Sequence, residues 1–226
     1  MFAVYKKELK SYLLTPVGYV FIGLFLLMFS IFFYLELFSS SVINFEYLFY
    51  NGATILTFIT PVLTMRMFSE ERKNGTEQLL LTSPRSIVSI VLGKFFAAGT
   101  IIVITEILTL VYFAILSFFG TPSLKVAIAT LGGFLFLSLA YISFGMFASS
   151  ITENQIVASV LSIGVFLVMW FLPYFNETLS MFSLINLFDK FPQGIVAWSE
   201  IIAFVSFSVL FILLTIIILQ RRKSVK

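Results

Sequence analysis

The chain has 226 residues, of which 60% are hydrophobic and only 11% charged, with mean hydropathy +1.07 and net charge +3. Soluble domains carry about 25% charged residues, so this chain has too little polar surface to face water and its solvent must be lipid. The absence of Cys and His, and a single Asp at position 189, exclude disulfides, thiolate metal sites, Ser-His and Cys-His triads and a pair of membrane aspartates.

Residues 1–15 place Lys6, Lys7, Glu8 and Lys10 among Phe2, Val4, Tyr5, Leu9, Tyr12 and Leu13. That mixture suits an amphipathic entry helix lying in the headgroup layer, ended by Pro16. Residues 17–35 are 19 uncharged positions, about 28 Å as a helix. This exceeds a signal-peptide core and spans a bilayer. After a short loop with Glu36 and Glu46, residues 48–65 form the second expected span, with Pro61 as a kink.

Residues 66–94 are the one long polar interruption, carrying Arg66, Glu70, Glu71, Arg72, Lys73, Glu77, Arg85 and Lys94. Gly75 is placed to end a helical turn in a left-handed conformation. Thr76 then caps a short helix to about Thr82, with Glu77 at its positive end. Ser83-Pro84 reads as a cap and first position of the next helix. Between these signals Leu79, Leu80 and Leu81 are apolar for a loop open to water; they either dock a partner or dip into the membrane interface. Glu70, Glu71 and Glu77 either meet basic groups of a partner or pair locally with Arg72 and Lys73.

Residues 87–119 are too long for one simple span, so Lys94 is expected to snorkel to the interface and 95–118 to cross. Glu106 then sits about 18 Å into the bilayer. It is either a substrate-path or gating carboxylate, or a protonated group bonded to a Ser or Thr of a neighbouring span. Gly120-Thr121-Pro122 makes a turn. Further spans are expected over 126–150, 156–172 (stopped by Pro173) and 201–219. Thr178 to Phe188 is too short to cross and reads as part of an outer re-entrant segment, 174–199, with Trp198 as an interfacial anchor. Small residues at four-residue spacing, Gly145 with Ser149 and Ala158 with Ser162, read as packing within one subunit. Lipid-facing positions are the expected fate of most of the 29 Phe.

Six spans put both termini on one side. Twelve of the fourteen Lys and Arg then share that side with the 66–94 loop, leaving Lys125 and Lys190 opposite. The positive-inside rule makes that side cytoplasmic. A five-span chain would strand the C-terminal basic cluster outside. The basic balance is thus a topology signal and calls for no nucleic acid. Neither a P-loop nor a dinucleotide fingerprint is present, so any nucleotide is handled by another polypeptide.

The run SEERKNGTEQLLLTSPRS, followed by IVLGKF, resembles the first cytoplasmic loop of ABC transporter permeases of the type-2 exporter class. It is most like that of small permeases of the gliding-motility and copper-enzyme-maturation type. The matching positions are Glu70, Glu71, Arg72, Gly75, Thr76, Glu77, Leu79, Leu80, Pro84, Gly93 and Lys94. The resemblance implies an all-α polytopic membrane protein: six transmembrane helices, an amphipathic entry helix and a cytoplasmic coupling helix that touches an ATPase. It also implies an ATP-driven exporter of the bacterial or archaeal cytoplasmic membrane. Its partners would be cytoplasmic ABC ATPase subunits, a second permease copy (identical or not) and membrane lipids. The chain itself would hold no cofactor and catalyse nothing, ATP being bound by the partner. From the residues alone, a membrane scaffold that recruits a cytoplasmic protein without transport stays open. A secondary transporter would show denser intramembrane polar groups and repeats.

Overall fold

Pro16 sets the first corner of the chain. α1 (Phe2–Leu14) ends because the residue before a proline is pushed out of the helical region. Thr15 is extended, with φ −99° and ψ 157°, and α2 (Pro16–Ser39) starts on the proline itself. The computed structural model describes residues 1–39, 45–82, 85–119 and 122–225. The expected starts at Ser83-Pro84 and the Gly120-Thr121 part of the turn lie outside them.

The remaining elements are α3 (Phe45–Thr64), α4 (Ser69–Lys73), α5 (Glu77–Thr82), α6 (Ile87–Phe119), α7 (Leu124–Ile151) and α8 (Gln155–Phe175). A 3₁₀ turn (Glu177–Phe182), α9 (Leu184–Phe188) and α10 (Trp198–Val225) complete the chain. No strand occurs among the described residues. The helices α2, α3, α6, α7, α8 and α10 are long and apolar enough to cross a membrane. The protein is therefore an all-helical, multi-pass membrane protein.

α7 is the central post, packed against α3, α6, α8 and α10. In lipid, helices associate through close packing and not through expulsion of water, and glycines provide the approach. A Cβ on Gly145 would collide with Thr64 of α3. A Cβ on Gly93 would come within 2.9 Å of Val4, so α1 lies directly on the first turns of α6. Ser149, Ala158 and Ser162 are buried with Gly145 inside the protomer, as expected of packing within one subunit.

Aromatic rings fill the space beside Gly52, where a Cβ would meet Phe25, Phe29 and Phe134 at 3.5–3.6 Å. Phe25, Phe29, Phe49, Phe134 and Phe188 form a continuous series of stacked, tilted and edge-on contacts with centroids 5.0–6.0 Å apart. Among the described residues thirteen of the 29 Phe are buried in the protomer and seven more are partly buried against the same core. This corrects the expectation that lipid-facing positions account for most of them.

Three further readings change. α6 is one unbroken helix of 33 residues, about 50 Å long; its first turns are covered by α1, so Lys94 has no route to snorkel and is 2% exposed. Pro173 does not stop α8, which runs two residues past it to Phe175. α10 extends to Val225, beyond the expected end at Leu219, and carries Arg222 back over α5. At the end of the bundle away from the termini, residues 177–188 make no crossing. α9 folds onto α7 through Leu184, Ile185 and Phe188, and an ion pair between Lys190 and buried Glu200 fastens the following turn to α10.

Candidate functional site

The polar loop of the sequence becomes a built object at the end of the bundle that carries both termini. α3 stops at Thr64 and the chain turns through residues 65–68. Ser149 of α7 holds this turn: its hydroxyl donates to the Met65 carbonyl (2.9 Å) and accepts from the Phe68 and Ser69 amides (3.0 and 3.1 Å). Those amides stand at the start of α4, where no helical acceptor exists. α4 closes at Asn74, and Gly75 takes φ +71°, its amide donating to the Arg72 carbonyl at 3.1 Å. Glycine adopts this conformation without a steric penalty. Thr76 stands directly before α5, where a cap is expected, and also reaches backward. Its hydroxyl donates to the Glu71 carbonyl at 3.2 Å and ties the entry of α5 back to α4.

The acids of the loop do not pair with their sequence neighbours Arg72 and Lys73. Glu71 and Glu8 of α1 both contact the Lys94 ammonium, at 2.9 and 3.1 Å, and the Phe68 ring lies 5.3 Å from it. Arg72 reaches the α7–α8 turn instead, pairing with Glu153 at 2.8 Å and donating to the Ile151 carbonyl at 2.9 Å. Glu77 pairs with Arg222 of α10 at 3.0 Å. Glu70 pairs with Arg66 one turn back, at 2.8 Å. Exposed surface pairs contribute little, but the Lys94 cluster is buried, and α4 and α5 are thereby fastened to α1, α6, α7 and α10. Sequence reasoning missed Glu8, Ser149, Glu153 and Arg222 as members of this network. A lone lysine in an apolar run was the one signal, since buried charges are paired.

Between α1 and the loop lies a cavity of about 570 Å³ lined by Glu8, Tyr12, Arg66, Glu71, Leu79 and Arg85, among others. The Tyr12 hydroxyl donates to the Leu63 carbonyl at 3.3 Å; burial pushes its pKa well above the usual tyrosine value, so it remains a donor. On the outer side of the loop Lys73, Asn74, Thr76, Gln78 and Leu79 are exposed. Leu79 is 74% exposed. The side chains of Leu80 and Leu81 lie outside the described residues.

Glu106 stands apart from this cluster. It is 8% exposed and turned into the protomer, and its Oε1 has no hydrogen-bond partner among the described residues. The expected bond to a Ser or Thr of a neighbouring span is thus not made at that oxygen. A buried polar atom without a partner costs about 1–3 kcal/mol. Glu106→Leu is therefore expected to keep or raise the thermal midpoint of the detergent-solubilised protein, and Glu106→Gln to stay near it. A large drop for Leu would reveal a partner for the carboxyl. A Gln variant that assembles but no longer transports would assign it to a path or gate.

No curated protein matches the chain. Residues 35–219 match the family described as ABC-2 family transporter protein, a stretch that takes in all of α3 to α9, the whole of the loop, the last turn of α2 and most of α10. The chain therefore belongs to the ABC-2 transporter family and is a membrane permease component of an ABC transporter.

Proposed function

We propose that the chain is the permease subunit of an ATP-driven exporter whose ATPase is a separate cytoplasmic polypeptide. The ATPase docks on α4 and α5, with Gly75 and Thr76 setting the docking turn and Leu79 and Leu80 as apolar anchors. Two permease copies stand side by side in the cytoplasmic membrane of a bacterium or archaeon, surrounded by lipid, with both termini inside the cell. ATP stays with the partner subunit. The observation that carries this reading is the set of ties around the loop. Glu71 is held to Lys94, Arg72 to Glu153 and Glu77 to Arg222, at 2.8–3.0 Å. A displacement of α4–α5 by a closing ATPase is passed at once to α1, α6, the α7–α8 turn and α10. Glu70, Glu71, Arg72 and Glu77 are in this reading the rigid mount, and the exposed face of α5 is the contact.

The test is purification of the tagged full-length chain from its native membranes. An ATPase with a P-loop is expected in the complex, with hydrolysis that falls when the permease is removed. Recovery of the chain with a cytoplasmic protein that lacks a P-loop would favour the scaffold reading.

A further inference from the structure

The cavity between α1 and the loop sits at a defined depth. On its wall, Ser11 and Tyr12 come just before the start of α2, Arg66 and Met67 just after the end of α3, and Ile90 and Lys94 in the first turns of α6. It therefore lies where three spanning helices meet the membrane surface, at the level of the lipid headgroups. α1, which forms one side, leaves Phe2 and Leu14 exposed, as a helix lying in that layer does. The volume of about 570 Å³ falls in the range of small-ligand sites, about 300–1,000 Å³. The charges on the wall are spent except for two. Arg66 is held by Glu70 at 2.8 Å, and Glu71 and Glu8 are held by Lys94 at 2.9 and 3.1 Å. Lys7 is largely exposed, and its one acidic neighbour, Glu8, is 3.8 Å away and already shared with Lys94. Arg85 is exposed and pairs with no carboxylate among the described residues. Two cations from separate elements thus face one cavity, Lys7 on α1 and Arg85 just before α6.

A phosphodiester fits this pair. Guanidinium and ammonium groups make short, charge-assisted hydrogen bonds to its oxygens. An amine finds no free acid here, because Glu8, Glu70 and Glu71 each already hold a base. Depth decides the source of the phosphate. A lipid brings its phosphate to this level, with the glycerol and the first carbons of its chains beside Val4, Met67 and Ile90 of the same wall. A zwitterionic lipid would add its own cation to two others, so the pair favours a lipid with net negative charge. We propose that the cavity binds the phosphodiester headgroup of an anionic lipid from the leaflet on the loop side, held between Lys7 and Arg85. The seated lipid fastens α1 to the chain that leads into α6. This inference goes beyond the exporter reading and needs only the placement of the bundle in a bilayer.

The full-length permease is purified in detergent and titrated with dioctanoyl phosphatidylglycerol, bound lipid being counted by native mass spectrometry. The expected result is a first lipid retained more tightly than any that follow, and more tightly than dioctanoyl phosphatidylcholine. Lys7→Gln with Arg85→Gln is expected to weaken that first lipid roughly ten- to thirtyfold, since each basic group near a lipid surface contributes about fivefold. Lys6→Gln with Lys10→Gln removes the same charge from exposed positions of α1 that are off the cavity wall. That pair is expected to stay within about twofold of wild type. Lys7→Arg with Arg85→Lys keeps both charges and is expected to keep the lipid. Equal weakening by the two glutamine pairs would overturn the proposal and leave a diffuse basic surface in place of a site. Equal affinity of the wild-type chain for the two lipids would overturn it as well. Displacement of the first lipid by glycerol phosphate at matching concentration would give the cavity to a soluble phosphate. Loss of the lipid on addition of the ATPase would give it to the partner protein, and either result sinks the lipid site.

Discussion

Replacement of Lys94 by Met is expected to lower the unfolding midpoint of the detergent-solubilised permease by roughly 6–20 °C. Its ammonium is 3% exposed and contacts Glu71 at 2.9 Å and Glu8 at 3.1 Å. Met fills similar space, so the loss is electrostatic. Two carboxylates, 18% and 14% exposed, are left facing each other with only the largely exposed Lys7, 3.8 Å from Glu8, as a remaining cation. Removing one partner of a buried pair costs about 3–5 kcal/mol, and about 2–4 °C is lost per kcal/mol in chains of this length. The carboxylates, and not the lysine's own packing, carry the effect. Adding Glu8→Gln and Glu71→Gln to the Met variant is therefore expected to recover most of the loss, because neutral groups end the repulsion and the three sites act as one unit. A midpoint within 2 °C of wild type for Lys94→Met alone would show that the ammonium is not the cation of this cluster.

What the sequence made legible follows from what is local. The uncharged run Val17 to Leu35 needs only its length to be read as a span, and the structure carries it inside α2. Gly75 needs only its lack of a side chain, and it takes φ +71°. The pairing of charges is a different kind of information. Glu77 and Arg222 are separated by 145 residues and Glu71 and Lys94 by 23, and no local rule says which acid meets which base. The local expectation for Lys94 is snorkelling, because a lysine near the start of an apolar run usually has open water nearby. That reading failed because α1 lies on Gly93, a contact between residues almost ninety positions apart. The same cause lies behind the phenylalanines. Composition cannot tell a ring facing lipid from one facing another helix, since both surroundings are equally apolar. The place of Thr76 just before α5 is legible locally. The bond its hydroxyl donates to the Glu71 carbonyl is not, since that acceptor comes within reach only where Gly75 has reversed the chain.

Leu79→Ser is expected to weaken capture of the ATPase by roughly ten- to a hundredfold at unchanged permease yield. The reason for the unchanged yield is that Leu79 is 74% exposed in the isolated permease, so a polar side chain there disturbs little of the bundle, which is held by α7 and by the ties to Lys94, Glu153 and Arg222. The loss of capture follows from burial in the complex. Enclosing a leucine removes enough apolar surface from water to contribute about 1.5–3 kcal/mol, and each 1.4 kcal/mol is about tenfold in affinity. Interfaces concentrate their energy in a few such anchors, and α5, a short helix standing on a rigid mount, presents this one outward. Leu79→Met, which keeps the apolar volume on a flexible chain, is expected to retain capture. If Ser and Met variants both hold the ATPase as wild type does, at normal yield, α5 is not the main docking element. The partner must then bind elsewhere, and the cavity beside α1, with Glu8, Arg66 and Arg85 on its walls, becomes the surface to test. If Ser loses the ATPase while Met keeps it, apolar burial at one position of α5 accounts for the contact, and the ion pairs behind it serve to hold that position still.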